Sequence, residues 1–255
     1  MWGGAKLPVD WYRSSVALDS SAMYWERGGE ELARFAIRVL GLECHERILD
    51  LACGIGGRTN ELCRLGFDVV GVDSSEWLLE AAAGEAEVQG LWPYFVEEDP
   101  RYIGFDSEFD VVLSLGGGAL EHFDYDEENV RAFRAAARAL RPGGRLLMQM
   151  PNVLYVEQQL PERTWVEEGE STSLIEQHWN APTHRLDGVI RHLLAFEAPD
   201  DMGDPMPFQR RLYTIEELAE VFEAVGLRLA DVFDEEGRPC VPDDGQQQLF
   251  VEARV

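Results

Sequence analysis

The chain has 255 residues, room for one large domain or one domain with a substantial insertion, and enough to bury a sizeable core. Apolar residues make up 45% and charged residues 27%, a globular balance that excludes disordered, collagen-like and fibrous classes. With 22 basic against 48 acidic residues the formal net charge is −26, which would repel a nucleic-acid backbone or an anionic membrane surface.

Lys6 is the only lysine, so carboxylates must solvate most of the surface. The four cysteines, Cys44, Cys53, Cys63 and Cys240, include no CxxC pair, and a chain this long needs no disulfide staples. No apolar run approaches the ~18 residues of a membrane span, and the opening residues lack the apolar stretch of a secretory signal. These features lead to the expectation of a soluble cytoplasmic protein.

In chain order, residues 1–27 carry Trp11, Tyr12, Tyr24 and Trp25 and read as an N-terminal lid segment. From 28 to 150, short and almost continuously apolar runs alternate with helical patterns, as parallel strands covered on both faces require. Leu32, Phe35, Ala36, Val39 and Leu40 form one helical stripe, and Val130, Phe133, Ala137 and Leu140 a second. The strands expected are Arg47–Ala52, Asp68–Asp73, Trp92–Glu97, Phe109–Leu115 and Arg145–Met150. Between 151 and 210 the alternation fails; β-prone pieces at Arg163–Val166, Ser173–Trp179 and Gly188–Phe196 read as a substrate-binding insertion over one end of the sheet. Residues 211–255 return to the core through a helix with a capping box, Thr214 and Glu217, ended by Gly226, and two strands near Leu227–Phe233 and Gln246–Ala253. The order specifies an α/β, doubly wound sheet.

The informative stretch is Ile48-Leu-Asp-Leu-Ala-Cys-Gly-Ile-Gly-Gly-Arg-Thr, a buried strand entering a glycine-rich turn and then a helix. In such sheets ligands sit at the carboxyl ends of the strands, and Gly54 and Gly56 would let the backbone approach a bound nucleoside. Asp73 ends the second strand 23 residues after Asp50, close to the spacing of a carboxylate that binds ribose hydroxyls. A dinucleotide site wants G-x-G-x-x-G, but the third glycine position holds Thr59. Asp50 would repel a pyrophosphate and suit a cationic head, so the pattern favours adenosine joined to a positively charged amino-acid tail.

On these residues the chain resembles the class I S-adenosylmethionine-dependent methyltransferases. Asp50–Gly56 resembles their first motif and Val72-Asp-Ser their ribose acid. Asp99-Pro-Arg with Phe109-Asp-Val-Val, then Leu140-Arg-Pro-Gly-Gly-Arg-Leu, match the later core blocks, and Arg211-Leu-Tyr-Thr-Ile-Glu-Glu-Leu the C-terminal block of a bacterial small-molecule subgroup. The resemblance implies a Rossmann-like, seven-stranded, mostly parallel sheet with a β-rich insertion over the active site. It implies S-adenosylmethionine as cofactor, with S-adenosylhomocysteine as product. Asp50, Ala52, Gly54, Gly56, Asp73, Ser74, Asp99, Pro100, Leu115 and Tyr12 are the implied cofactor residues. Many relatives of the subgroup have Gly-Arg-His after the first motif, where this chain has Gly57-Arg58-Thr59.

Methyl transfer from a sulfonium is an in-line displacement, so alignment and water exclusion matter more than a general base. His122 follows the fourth strand and is the first candidate to meet the acceptor; Glu176 and His178 in the insertion come next. Trp165, Trp179 and Tyr213 are candidate acceptor-pocket residues. No metal site is expected, because His178, His184 and His192 lack ligand spacing. The expected partner is a small-molecule acceptor, with no nucleic acid and no membrane, and a homodimer is allowed. The competing readings are an NAD-dependent oxidoreductase, which the missing glycine opposes, and a non-catalytic S-adenosylmethionine-binding regulatory module.

Overall fold

A computed structural model describes residues 28–116, 119–160, 162–168, 171–194, 205–243 and 245–255. The lid segment expected at 1–27, with Tyr12, lies outside the described residues. The chain runs α1 (Gly29–Leu40), β1 (Arg47–Leu51), α2 (Gly57–Arg64), β2 (Asp68–Asp73), α3 (Glu76–Val88), β3 (Tyr94–Glu97), β4 (Phe109–Ser114), α4 (Asp126–Ala139) and β5 (Leu140–Pro151). It continues through α5 (Val153–Gln159), β6 (Arg163–Glu168), β7 (Ser171–Asn180), β8 (Arg185–Leu194), β9 (Met206–Arg211), α6 (Ile215–Val225), β10 (Arg228–Phe233) and β11 (Gln248–Arg254).

Seven strands form one sheet in the order β10-β11-β5-β4-β1-β2-β3. The five strands from β5 to β3 pair in parallel, and β11 and β10 extend the edge antiparallel. The chain moves outward from β1 to β3, then resumes at β4 on the other side of β1, so the carboxyl ends of β1 and β4 flank a topological switch point.

Alternation along each strand feeds two cores. Ile48, Val111 and Leu113 pack with Ala33, Phe35, Ala36 and Leu40 of α1. Leu49, Leu51 and Val112 pack on the opposite face with Phe133 of α4 and Leu218 and Phe222 of α6. Helix α1 stops where Gly41 adopts φ 60°, a left-handed geometry glycine accepts without steric cost. Pro142, Gly143 and Gly144 lie within the β5 span: Phe109 pairs with Leu140 and Val111 with Arg145, so residues 141–144 bulge from the ladder. Strand β3 begins at Tyr94 rather than Trp92, whose side chain is 83% exposed.

The second sheet is an antiparallel meander, β6-β7-β8-β9. Gly188 is required in β8, since a Cβ there would fall 2.4 Å from the Phe208 ring and 2.6 Å from the Glu176 carbonyl oxygen. Two small apolar clusters support this sheet: Ile175, Ile190 and Met206 in one, and Val153, Val156, Leu186 and Leu212 in the other. Among the described residues, no helix is long and apolar enough to cross a membrane.

Candidate active site

The carboxyl end of β1 opens into a run of left-handed backbone: Ala52 at φ 51°, Gly54 at 58° and Gly56 at 79°. An alanine in this region opposes its own Cβ sterics, and such strain is characteristic of ligand-binding turns. Hydrogen bonds hold the turn in place. Cys53 N–H donates to the Val72 carbonyl at 3.0 Å, and Gly56 N–H donates to the Cys53 carbonyl at 3.0 Å. Gly56 serves packing as well as conformation, because a Cβ on it would lie 2.7 Å from the Ala82 Cβ. Beyond any ligand approach, its absent side chain makes room for α3.

Asp73 closes the turn from β2. Its Oδ2 accepts from Gly54 N–H and its Oδ1 from Ser75 N–H, both at 3.0 Å. The residue is 8% exposed. Burial pushes its carboxyl above the ordinary value against those N–H groups, and the nearby Asp50 charge adds to the rise. Each carboxylate oxygen offers more than one acceptor site, so the two oxygens retain capacity for a pair of vicinal hydroxyls. Ser74 is half-buried beside it, and Ser75 caps α3 by accepting from Leu78 N–H.

Asp50 departs from expectation. Its side chain is wholly buried, with Oδ1 accepting from Arg58 Nε at 2.7 Å and Oδ2 from the Thr59 hydroxyl at 2.7 Å. The carboxylate is thus neutralised by the first turn of α2 and braces the glycine turn from beneath, rather than facing a cationic ligand head directly. Arg58 and Thr59 are therefore site residues, although no local pattern in the sequence marks them as such. Cys53 is 1% exposed, with its sulfur against Gly71, as a packing residue should be.

At the end of β3, Asp99 also has a protein partner. Arg101 Nη2 donates to its Oδ2 at 2.6 Å, Arg101 N–H donates to Oδ1 at 2.9 Å, and the guanidinium lies 4.4 Å from the Phe123 ring centroid. Pro100 is buried next to it. Leu115, beyond β4, is 1% exposed and belongs to the core shared with α1, so its side chain builds the floor rather than an open wall.

The acceptor-side candidates separate. His122 is half-buried in the stretch that follows β4. Glu176 forms an ion pair with Arg163 across β6 and β7, and His178 is exposed, so the two do not make a catalytic couple. Trp165 stands 54% exposed on the edge strand β6. Trp179 stacks on the His184 ring with centroids 5.8 Å apart. Tyr213 is a correction: only 4% exposed, it meets Phe133 edge-on at 6.0 Å and lies under the Arg211 guanidinium, within the core. Cavities among the described residues include two of similar size. One of about 460 Å³ lies between residues 124–127 and 182–185, and one of about 450 Å³ lies against Gly28, Gly57 and Asn60.

The family described as a methyltransferase domain matches residues 48–144, from β1 into β5. A Bacillus subtilis protein, YqeM, named as a methyltransferase, is 31% identical over 218 residues, covering 82% of this chain and 83% of its own. The solved structure of the CcbJ methyltransferase from Streptomyces caelestis aligns with a TM-score of 0.74 at 21% identity, covering 89% of each chain. That of CalS10, an amino pentose methyltransferase from Micromonospora echinaspora, aligns at 0.63 and 20% identity over 99% of this chain and 100% of its own.

Proposed function

Because this chain belongs to the class I S-adenosylmethionine-dependent methyltransferases, we propose that it transfers the methyl group to a nitrogen or oxygen of a small-molecule acceptor, at the carboxyl edge of β1 and β4. The observation that carries this reading is Asp73, a buried carboxylate aligned by two backbone N–H groups beside a strained turn. When bound, S-adenosylmethionine supplies an electrophilic methyl on a sulfonium. Asp73 would accept the ribose hydroxyls, Ala52, Gly54 and Gly56 would give the close backbone approach, and Ser74 and Pro100 would flank the adenine.

The acceptor atom's lone pair forms the new bond to carbon as the carbon–sulfur bond breaks, and the electron pair leaves on sulfur. The chain then has two tasks: to hold the acceptor in line and to keep water away. His122, half-buried after β4, would receive the acceptor's proton when that acceptor is a hydroxyl. The antiparallel sheet β6–β9, standing between β5 and α6 in the chain, is the element that would close over the acceptor and set specificity. A net charge of −26 favours a small neutral or cationic acceptor over nucleic acid. The relation to a structure described as an amino pentose methyltransferase supports an amine or hydroxyl on a compact polar molecule.

Calorimetric titration with S-adenosylhomocysteine tests the site. Wild type should bind it and not NAD, and Asp73→Ala should weaken binding by about 1–3 kcal/mol, the range for a buried hydrogen-bonded carboxylate. Equal affinity in the folded variant would remove Asp73 from the site. A panel of amino sugars, small amines and phenols, followed by mass spectrometry for a gain of one methyl, then assigns the acceptor.

A further inference from the structure

Residues 119–126 are held from two sides. From the core, the Ser114 hydroxyl accepts from Ala119 N–H at 3.1 Å, and Asn129 Oδ1 accepts from Phe123 N–H at 3.1 Å. From the antiparallel sheet, Arg210 donates through Nε to Glu121 Oε1 at 2.8 Å and also pairs with it through Nη2. Arg211 N–H donates to the Glu121 carbonyl at 2.9 Å, and Arg185 reaches the Phe123 carbonyl at 3.2 Å and Asp126 Oδ1 at 2.6 Å. Glu121 is 1% exposed and Arg210 is 7% exposed, so this is an ion pair removed from water. Both contacts fall on one oxygen of Glu121, and Oε2 is buried with no hydrogen-bond partner.

Such a pair is a poor source of stability. Desolvation of two charges consumes most of their attraction, and well-packed apolar residues of similar volume often do as well or better. What a guanidinium fork on a fixed carboxylate does provide is a defined geometry. Here it fixes β9, at the end of the antiparallel sheet, against the stretch that carries His122.

We propose that Glu121 and Arg210 are positioning residues for the acceptor: their buried pair registers the β6–β9 sheet against residues 119–125, so that one rigid surface built from both faces the transferred methyl. This rests on the acceptor lying at the β4 edge. Glu121 acts through His122 and the backbone around it, and Arg210 through the sheet. Cofactor binding, which belongs to β1, β2 and their turns, is independent of the pair.

The test uses the full chain saturated with S-adenosylhomocysteine, comparing wild type, Glu121→Gln, Arg210→Met and the charge-reversed double variant Glu121→Arg with Arg210→Glu. Amide hydrogen exchange over residues 119–126 and 206–211 should accelerate at least tenfold in both single variants. Exchange in β1 and β2 and the S-adenosylhomocysteine dissociation constant should each stay within twofold. The double variant should recover protection. With the acceptor found in the panel, kcat/KM for that acceptor should fall at least tenfold, while the KM for S-adenosylmethionine changes less than twofold. Unchanged exchange at 119–126 in Glu121→Gln would overturn the proposal. So would loosening spread equally through β1 and β2, which marks a general structural role. If Glu121→Gln does not fold, Arg210→Met carries the same comparison. Failure of wild type to bind S-adenosylhomocysteine would strike the assigned cofactor site instead, leaving the exchange pattern to decide the pair.

Discussion

At the scale of single residues, the site is built where side chains are missing or inverted in role. Gly56 combines φ 79° with a Cβ direction blocked at 2.7 Å by Ala82, so two independent costs fall on any substitution. Gly56→Ala should destabilise the fold by about 1–3 kcal/mol, from left-handed strain plus overpacking between α2 and α3. Urea denaturation measures it, and a loss below a few tenths would mean that the turn relaxes freely. The glycines were legible in the sequence because only a few residue types tolerate such backbone. The partners of Asp50 were not, since a strand-end carboxylate can face a ligand or turn inward, and only the fold decides that Arg58 and Thr59 reach it. Likewise Glu121 and Arg210 stand 89 residues apart, and no local pattern joins them.

At the scale of elements, local signals and long-range ones part company. Helix α6 is fully written in its sequence. The Thr214 hydroxyl accepts from Glu217 N–H, the Glu217 carboxylate accepts from Thr214 N–H, and Gly226 closes the end at φ 87°. The strands β1, β2 and β4 were equally legible, because strands buried on both faces leave continuous apolar runs. Helix α5 and strand β9 were not, because their apolar residues face a small second core that only the meander creates. The capping box also carries a pH signature. Burial pushes the Glu217 carboxyl up, but hydrogen bonds from Arg211, Thr214 and His184 outweigh it and hold the group below its usual 4.5. A carboxylate with a depressed folded pKa contributes stability that is present above the unfolded value and lost as pH falls through the folded one. Glu217→Gln should therefore lose stability at pH 7 while declining less than wild type below about pH 4.5. Thr214→Ala should cost about 1 kcal/mol at both ends of that range. Denaturation curves at the two pH values separate these outcomes, and parallel acid decline in wild type and Glu217→Gln would contradict the assignment.

At the scale of the whole molecule, the charge imbalance sets the response to salt. Among the described residues the ion pairs are mostly exposed at one partner or both: Arg34 with Glu30, Arg141 with Asp110, and Arg238 with Glu236 lie at the surface. Pairs of this kind contribute roughly 0–1 kcal/mol each. Against them stands a net charge of −26, whose self-repulsion is greater in the compact state than in the expanded chain. Added salt weakens both effects, but the repulsion sums over the whole surface while each surface pair is short-ranged and already solvated. Raising sodium chloride from about 20 to about 200 mM shortens the Debye length from about 20 Å to under 10 Å, inside the spacing of many like charges. The thermal midpoint should therefore rise over that interval, and the rise should be similar for potassium chloride, because screening depends on ionic strength rather than on the cation. A falling midpoint would mean that the arginine pairs outweigh the acidic surface. A rise with one cation only would point to specific binding instead of screening.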